Sequence, residues 1–212
     1  MRTLSTAAAV ALFAGSAAIA EPAFDAVVNS AQSTVSATLT VQGQSSSDTS
    51  PISGSLRVKL DSAGLPTMIE LHDFALNVTQ SLDFNIVFRV FNIPVGSIVV
   101  NATNVAVEYA TPGIIEGPAI ISGGQFSFTD VPSNSTGNAS YNATGTVCTL
   151  LQAQNPPQPC SGMLNLADTG TQNASTLPGT LVIAGRTATI TGTLSIAGPI
   201  DPANPDLGSL SI

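Results

Sequence analysis

Apolar and polar residues alternate along most of this chain. Val35, Ala37, Leu39 and Val41 interleave with Ser36, Thr38, Thr40 and Gln42. Leu56, Val58 and Leu60 interleave with Arg57, Lys59 and Asp61. Ala188, Ile190, Leu194 and Ile196 share one phase, with Thr187, Thr189, Thr191, Thr193 and Ser195 on the other. A period of two sends successive side chains to opposite faces of an extended strand. One buried and one solvated face is the signature of antiparallel sheets. A helical period of 3.6 is nowhere visible. The expected fold is all-β: a single antiparallel sandwich or barrel of roughly ten to thirteen strands over residues 21–212.

Turn chemistry punctuates the strands. "DSAGLP" (61–66) predicts a hairpin, and "AGR" (184–186) a tighter one. "TPGIIEGP", "VPSNSTGN" and "DPANPD" read as loops from their Gly, Pro and Asn content. A last short strand is expected after the third. Between Ile69 and Val78 the apolar phase slips, which places a β-bulge at His72-Asp73.

One short pattern recurs: Gly, any residue, apolar, any, apolar. Its glycines are Gly54, Gly96, Gly124, Gly162, Gly179, Gly192 and Gly208, and more loosely Gly145. Their spacing is irregular, which excludes a solenoid with a fixed repeat. They precede strand patterns and not helices, which excludes a phosphate-cradling loop. They are expected to start strands on the inward face, where a missing Cβ permits a bend or close approach of a neighbouring backbone.

The N-terminus reads as an address. "MRTLSTAAAVALFAGSAAIA" has Arg2, an apolar run and Ala18-Ile19-Ala20 before Glu21. That is a secretory signal with a cut expected after Ala20, in the Ala-rich style of bacterial export. Residues 1–20 are therefore assigned to a leader and the product to the periplasm or the exterior. No later stretch is apolar for long enough to make a spanning helix. Two cysteines in an exported chain are expected to pair. A Cys148–Cys160 disulfide would close the Pro-rich "CTLLQAQNPPQPC" segment; two reactive thiols are the alternative.

Composition removes whole function classes. After the leader, Arg57, Lys59, Arg89 and Arg186 are the only side-chain cations against thirteen carboxylates. Such a surface cannot neutralise a row of phosphates, so nucleic acid and anionic membranes are not expected partners. His72 is the only histidine, and no nucleophile elbow is visible. No metal site, no cofactor and no catalytic residue is expected. Asp73 and Asp83 are the carboxylates considered as an acid pair. Asp201, Asn204 and Asp206 offer oxygen ligands, but a capped turn is preferred to calcium there. Sequons start at Asn77, Asn101, Asn134, Asn138, Asn142 and Asn173. The Asn134–Thr144 cluster is expected to be an exposed polar loop.

Two stretches resemble a known family. "VVNSAQSTVSATLTVQG" followed by "ISGSLRVKLD" is similar to the opening of the YceI-like family of exported lipid-binding barrels. "PGTLVIAGRTATIT" resembles its G-x-L-x-I-x-G-x-T stretch. Gln32 stands where that opening usually has His. The resemblance implies a closed barrel holding an isoprenoid-like chain among inward apolar residues. The residues in that role would be Phe84, Ile86, Phe88, Val90, Phe126 and Phe128; plain core packing is the competing reading.

Two functions remain. The first is a non-enzymatic exported protein of structural or interaction type. The second is a carrier of a hydrophobic ligand inside a barrel. An outer-membrane barrel is set aside because aromatic girdles are absent.

Overall fold

The structure is a computed structural model that describes residues 7–13, 23–154, 156–185, 187–199 and 208–211. The described residues form fourteen strands, one α-helix and one short 3-10 turn. In chain order the strands are β1 (Ala7–Phe13), β2 (Ala23–Val28), β3 (Thr34–Val41), β4 (Gln44–Leu60), β5 (Met68–Val78), β6 (Leu82–Val90) and β7 (Ile93–Tyr109). There follow β8 (Glu116–Ile120), β9 (Gln125–Gly145), β10 (Ser161–Asn165), β11 (Thr171–Ala184), β12 (Thr187–Thr193), β13 (Ala197–Pro199) and β14 (Ser209–Ser211). Helix α1 (Thr146–Gln152) lies between β9 and β10. Thirteen of these strands belong to residues 21–212. The expected antiparallel β architecture is present.

One curled sheet carries all fourteen strands, and part of it closes on itself. The ring runs β4, β2, β1, β12, β11, β9, β7, β5 and back to β4. Every ladder in it is antiparallel. The long strands β4, β7 and β9 run past the ring and carry flanking strands there. The first half of β4 pairs with β3, β7 begins against β6, and the end of β9 pairs with β10. β14 and β13 extend the sheet beyond β3. β6 meets β4 through side chains and not through a ladder. Asp83 N donates to Asp48 Oδ2 at 2.7 Å and Asn85 N donates to Ser46 Oγ at 3.1 Å.

Alternation produces the core. In β3, Val35, Ala37, Leu39 and Val41 are buried, and in β6 so are Leu82, Phe84 and Ile86. Ile69 and Leu71 of β5 and Val58 and Leu60 of β4 are almost wholly enclosed. The phase slip in β5 is a bulge: Arg57 faces Asp73 and Val58 faces Leu71, leaving His72 as the extra residue. It returns Phe74 to the buried face, where its ring lies 5.8 Å from that of Tyr109.

Both predicted hairpins form. Residues 61–67 join β4 to β5, and Ala184 pairs with Thr187 across the tight turn. Asp61 ties the first turn together. It accepts from Thr67 Oγ1 at 2.6 Å, from Thr67 N at 2.9 Å and from Met68 N at 3.1 Å. These bonds, the Thr67 hydroxyl first, hold its carboxyl below the usual value. A depressed carboxyl contributes stability above the unfolded value of about 3.9 and loses it as pH falls through the folded value. Asp61→Asn should therefore flatten part of the acid-side fall in melting temperature. Thermal melts between about pH 5 and about pH 2 test this; a parallel profile for variant and parent would contradict it.

Three expectations need correction. "VPSNSTGN" and the Asn134–Thr144 cluster are not loops: both lie inside β9, whose first half pairs with β11 and second half with β10. Val131, Ser133, Ala139 and Ala143 face the core there, so small residues supply a buried phase that Gly, Pro and Asn disguise. A helix exists where no helical period was visible; α1 has only seven residues and buries only Val147 and Leu151. The recurring glycines do not all start strands. Gly124, Gly162 and Gly208 lie at strand starts, but Gly54, Gly96, Gly179 and Gly192 are interior and Gly145 ends β9. Gly179 pairs with Gly192, and Gly96 with Gly145. "DPANPD", with Asp201, Asn204 and Asp206, lies outside the described residues, as do Ala18–Ala20 at the expected cut. The short strand expected after that loop is β14.

Candidate functional site

An apolar cavity of about 130 Å³ lies beyond the ring, where the flanking strands gather. Leu39 and Val41 of β3, Phe84 of β6, and Ile98 and Val100 of β7 line one side. Val147 and Leu151 of α1 cover it, together with Leu164 and Leu166. Gln158, Thr169 and Tyr141 are the side chains with polar atoms among its described lining residues. Among the described residues, no carboxylate, histidine, lysine or arginine lines it. Its described lining suits an apolar group.

A disulfide holds the cover in place. Cys148 on α1 is bonded to Cys160, with Cα atoms 4.8 Å apart. Tyr141 OH donates to Pro159 O at 3.2 Å, and Ala143 N donates to Cys160 O at 2.6 Å. Gln158 N donates to Leu151 O at 2.9 Å, folding the Pro-rich segment back on the helix. Burial raises the pKa of the Tyr141 phenol, which keeps it a neutral donor.

Five of the six residues implied by the family resemblance lie in or against one hydrophobic core, but they do not gather at this cavity. Only Phe84 lines this cavity. Ile86 is buried in the core, Phe88 is partly buried, and Val90 is exposed. Phe126 and Phe128 lie on β9 in the same hydrophobic core as Phe84 but away from this cavity, their ring centroids 5.5 Å apart. The Phe126 ring occupies the space that a Cβ on Gly179 would fill. Phe84 and Phe126 are both buried, but they sit on strands separated by β7.

His72 is the bulge residue of β5, opposite β4. Its Nε2 lies 3.2 Å from Glu70 Oε2, and Lys59 Nζ lies 3.9 Å from the same oxygen. Asp73 faces Arg57 across the β4–β5 ladder, whereas Asp83 accepts from Asn101 and Ser81. The two carboxylates thus serve separate networks. No cluster of three or more His, Cys, Asp or Glu suited to a metal occurs among the described residues. Arg57 also forms an ion pair with Asp25 at 2.6 Å, which holds the Asp25 carboxyl below its usual value. Both partners are largely exposed, so the pair contributes little to stability.

One surface feature had no sequence signal beyond an apolar turn. The β6–β7 hairpin turns at Phe91 and Asn92, with φ of 49° and 66°. Phe91 is 95% exposed, and Val90 and Ile93 beside it are 51% and 66% exposed. A bulky side chain in the left-handed region is strained, and Asn or Gly normally takes that place in a two-residue hairpin.

No described helix is long and apolar enough to cross a membrane. Comparison with protein-family models, with curated proteins and with solved structures finds no match to this chain.

Proposed function

We propose that this chain is an exported, non-enzymatic β protein of structural or interaction type. It acts in the periplasm or at the cell surface. The observation that carries the reading is the β6–β7 tip. An exposed phenylalanine in a strained backbone position costs stability and is unfavourable in water. Docking on a partner surface would offset that cost. The disulfide supports the compartment, because such bonds persist in oxidising surroundings. Phe91→Asn should raise stability by about 1 kcal/mol, since Asn tolerates the left-handed region. It should also shift the exported protein from the cell envelope into the medium. Thermal melts and fractionation of producing cells check both; an unchanged distribution would contradict the docking role.

The apolar cavity supports a second reading, a carrier of a hydrophobic ligand. Its 130 Å³ is below the roughly 300 Å³ of typical small-molecule pockets and near that of a cavity that admits benzene. It suits the end of an apolar chain more than a whole lipid. Native mass spectrometry of protein from its own host decides between them. A retained apolar mass favours the carrier; the bare chain favours the first reading.

A further inference from the structure

Cleavage after Ala20 removes β1, and β1 is the strand that joins β2 to β12 in the closed ring. Its whole length, Ala7 to Phe13, pairs with β12. Val10 and Ala11 also pair with Val28 and Val27 of β2. Neighbouring strands are about 4.8 Å apart, so loss of one opens a seam of about 10 Å. Ala26 and Val28 flank it on one side, and Ala188 and Ile190 on the other, all buried in the intact ring.

The seam cannot close simply by zippering. β2 and β12 are both antiparallel to β1, so they run parallel to each other. Direct pairing would introduce a parallel ladder into a sheet whose other ladders are antiparallel. The new N-terminus does not reach either: only Glu21 and Pro22 precede β2. Nor are the edges guarded. β12 reads "TATITGT", with no charge and no proline, and the one charge of β2, Asp25, is engaged by Arg57. Unpaired edges of this kind are templates for another strand.

We propose that the exported form is a strand acceptor. The seam between β2 and β12 takes an extended, uncharged segment of another exported polypeptide, running antiparallel to both edges. The displaced strand, "AAAVALF", defines the chemistry: seven small or apolar residues without proline. Main-chain hydrogen bonds supply affinity, and the buried residues flanking the seam select apolar side chains. The inference rests on the export reading, because only cleavage vacates the seam.

The probe is a labelled synthetic peptide of residues 7–13. It is titrated into protein recovered from the host envelope and beginning at Glu21. Saturable one-to-one binding is expected, with slower hydrogen exchange in residues 187–193 on addition. A peptide with Ala9→Pro should bind at least about tenfold more weakly, because proline removes a ladder donor. Absence of saturable binding, or equal binding of the proline peptide, overturns the proposal. So does a mature chain that is a dimer with its β12 amides already protected, since the second copy would then cover the seam. A full chain with a specific protease site in place of residues 14–20 keeps this test separate from export. After the cut, labelled peptide should exchange into the ring; failure there overturns the seam itself. A recovered host protein beginning at Met1 overturns the cleavage on which the proposal depends.

Discussion

Gly54→Val should destabilise the protein by about 2–6 kcal/mol, combining overpacking with backbone strain. Gly54 lies inside β4 with φ of 142°, which a β-branched residue adopts only under strain. A Cβ there would overlap the carbonyl of Ala75 on β5, and backbone cannot move aside as a flexible side chain can. The damage falls on the β4–β5 ladder, which closes the ring. Gly192→Val should be milder. A Cβ at that position would lie 3.2 Å from Pro178 O, and its φ is outside the strained region. Urea melts of both variants measure the difference. Equal stability of Gly54→Val and Gly192→Val would contradict the close-approach account of the recurring glycines.

Removal of the disulfide should cost about 3 kcal/mol on the chain-entropy account, for cysteines separated by 12 positions. The effect should also be local, because α1 packs Val147 and Leu151 over the apolar cavity. A Cys148→Ser, Cys160→Ser double variant should bind an environment-sensitive apolar dye that the parent excludes. Melts with and without reductant measure the stability. If reduction changes neither melting nor dye binding, the disulfide is not what secures the cover.

Local patterning was readable where it repeated. Alternation in β3, in the second half of β4 and in β12 predicted their buried faces, and the slip between Leu71 and Phe74 located the His72 bulge. The cysteine spacing and exported character predicted the disulfide. Reading failed where polar composition hid an extended backbone. In β9, Ser133, Ala139 and Ala143 form the inward phase, and nothing in their chemistry distinguishes them from a loop. Helix α1 is too short to establish a period; its position depends on the disulfide and on cavity contacts distant in sequence. The cavity itself was illegible. The family resemblance put Phe84 and Phe126 inward together, but nothing in the sequence says that β7 separates their strands. An apolar run that reads as a leader also satisfies a strand slot, so no local pattern could show residues 7–13 pairing with β12.

The central claim is export with cleavage and an oxidised pair of cysteines. Intact-mass measurement of the protein recovered outside the cytoplasm of its own cell tests it most directly. The account predicts a chain beginning at Glu21, two hydrogens lighter than its reduced form and resistant to alkylation without reductant. A chain beginning at Met1, or one that alkylates at both Cys148 and Cys160 under denaturing, non-reducing conditions, would contradict it.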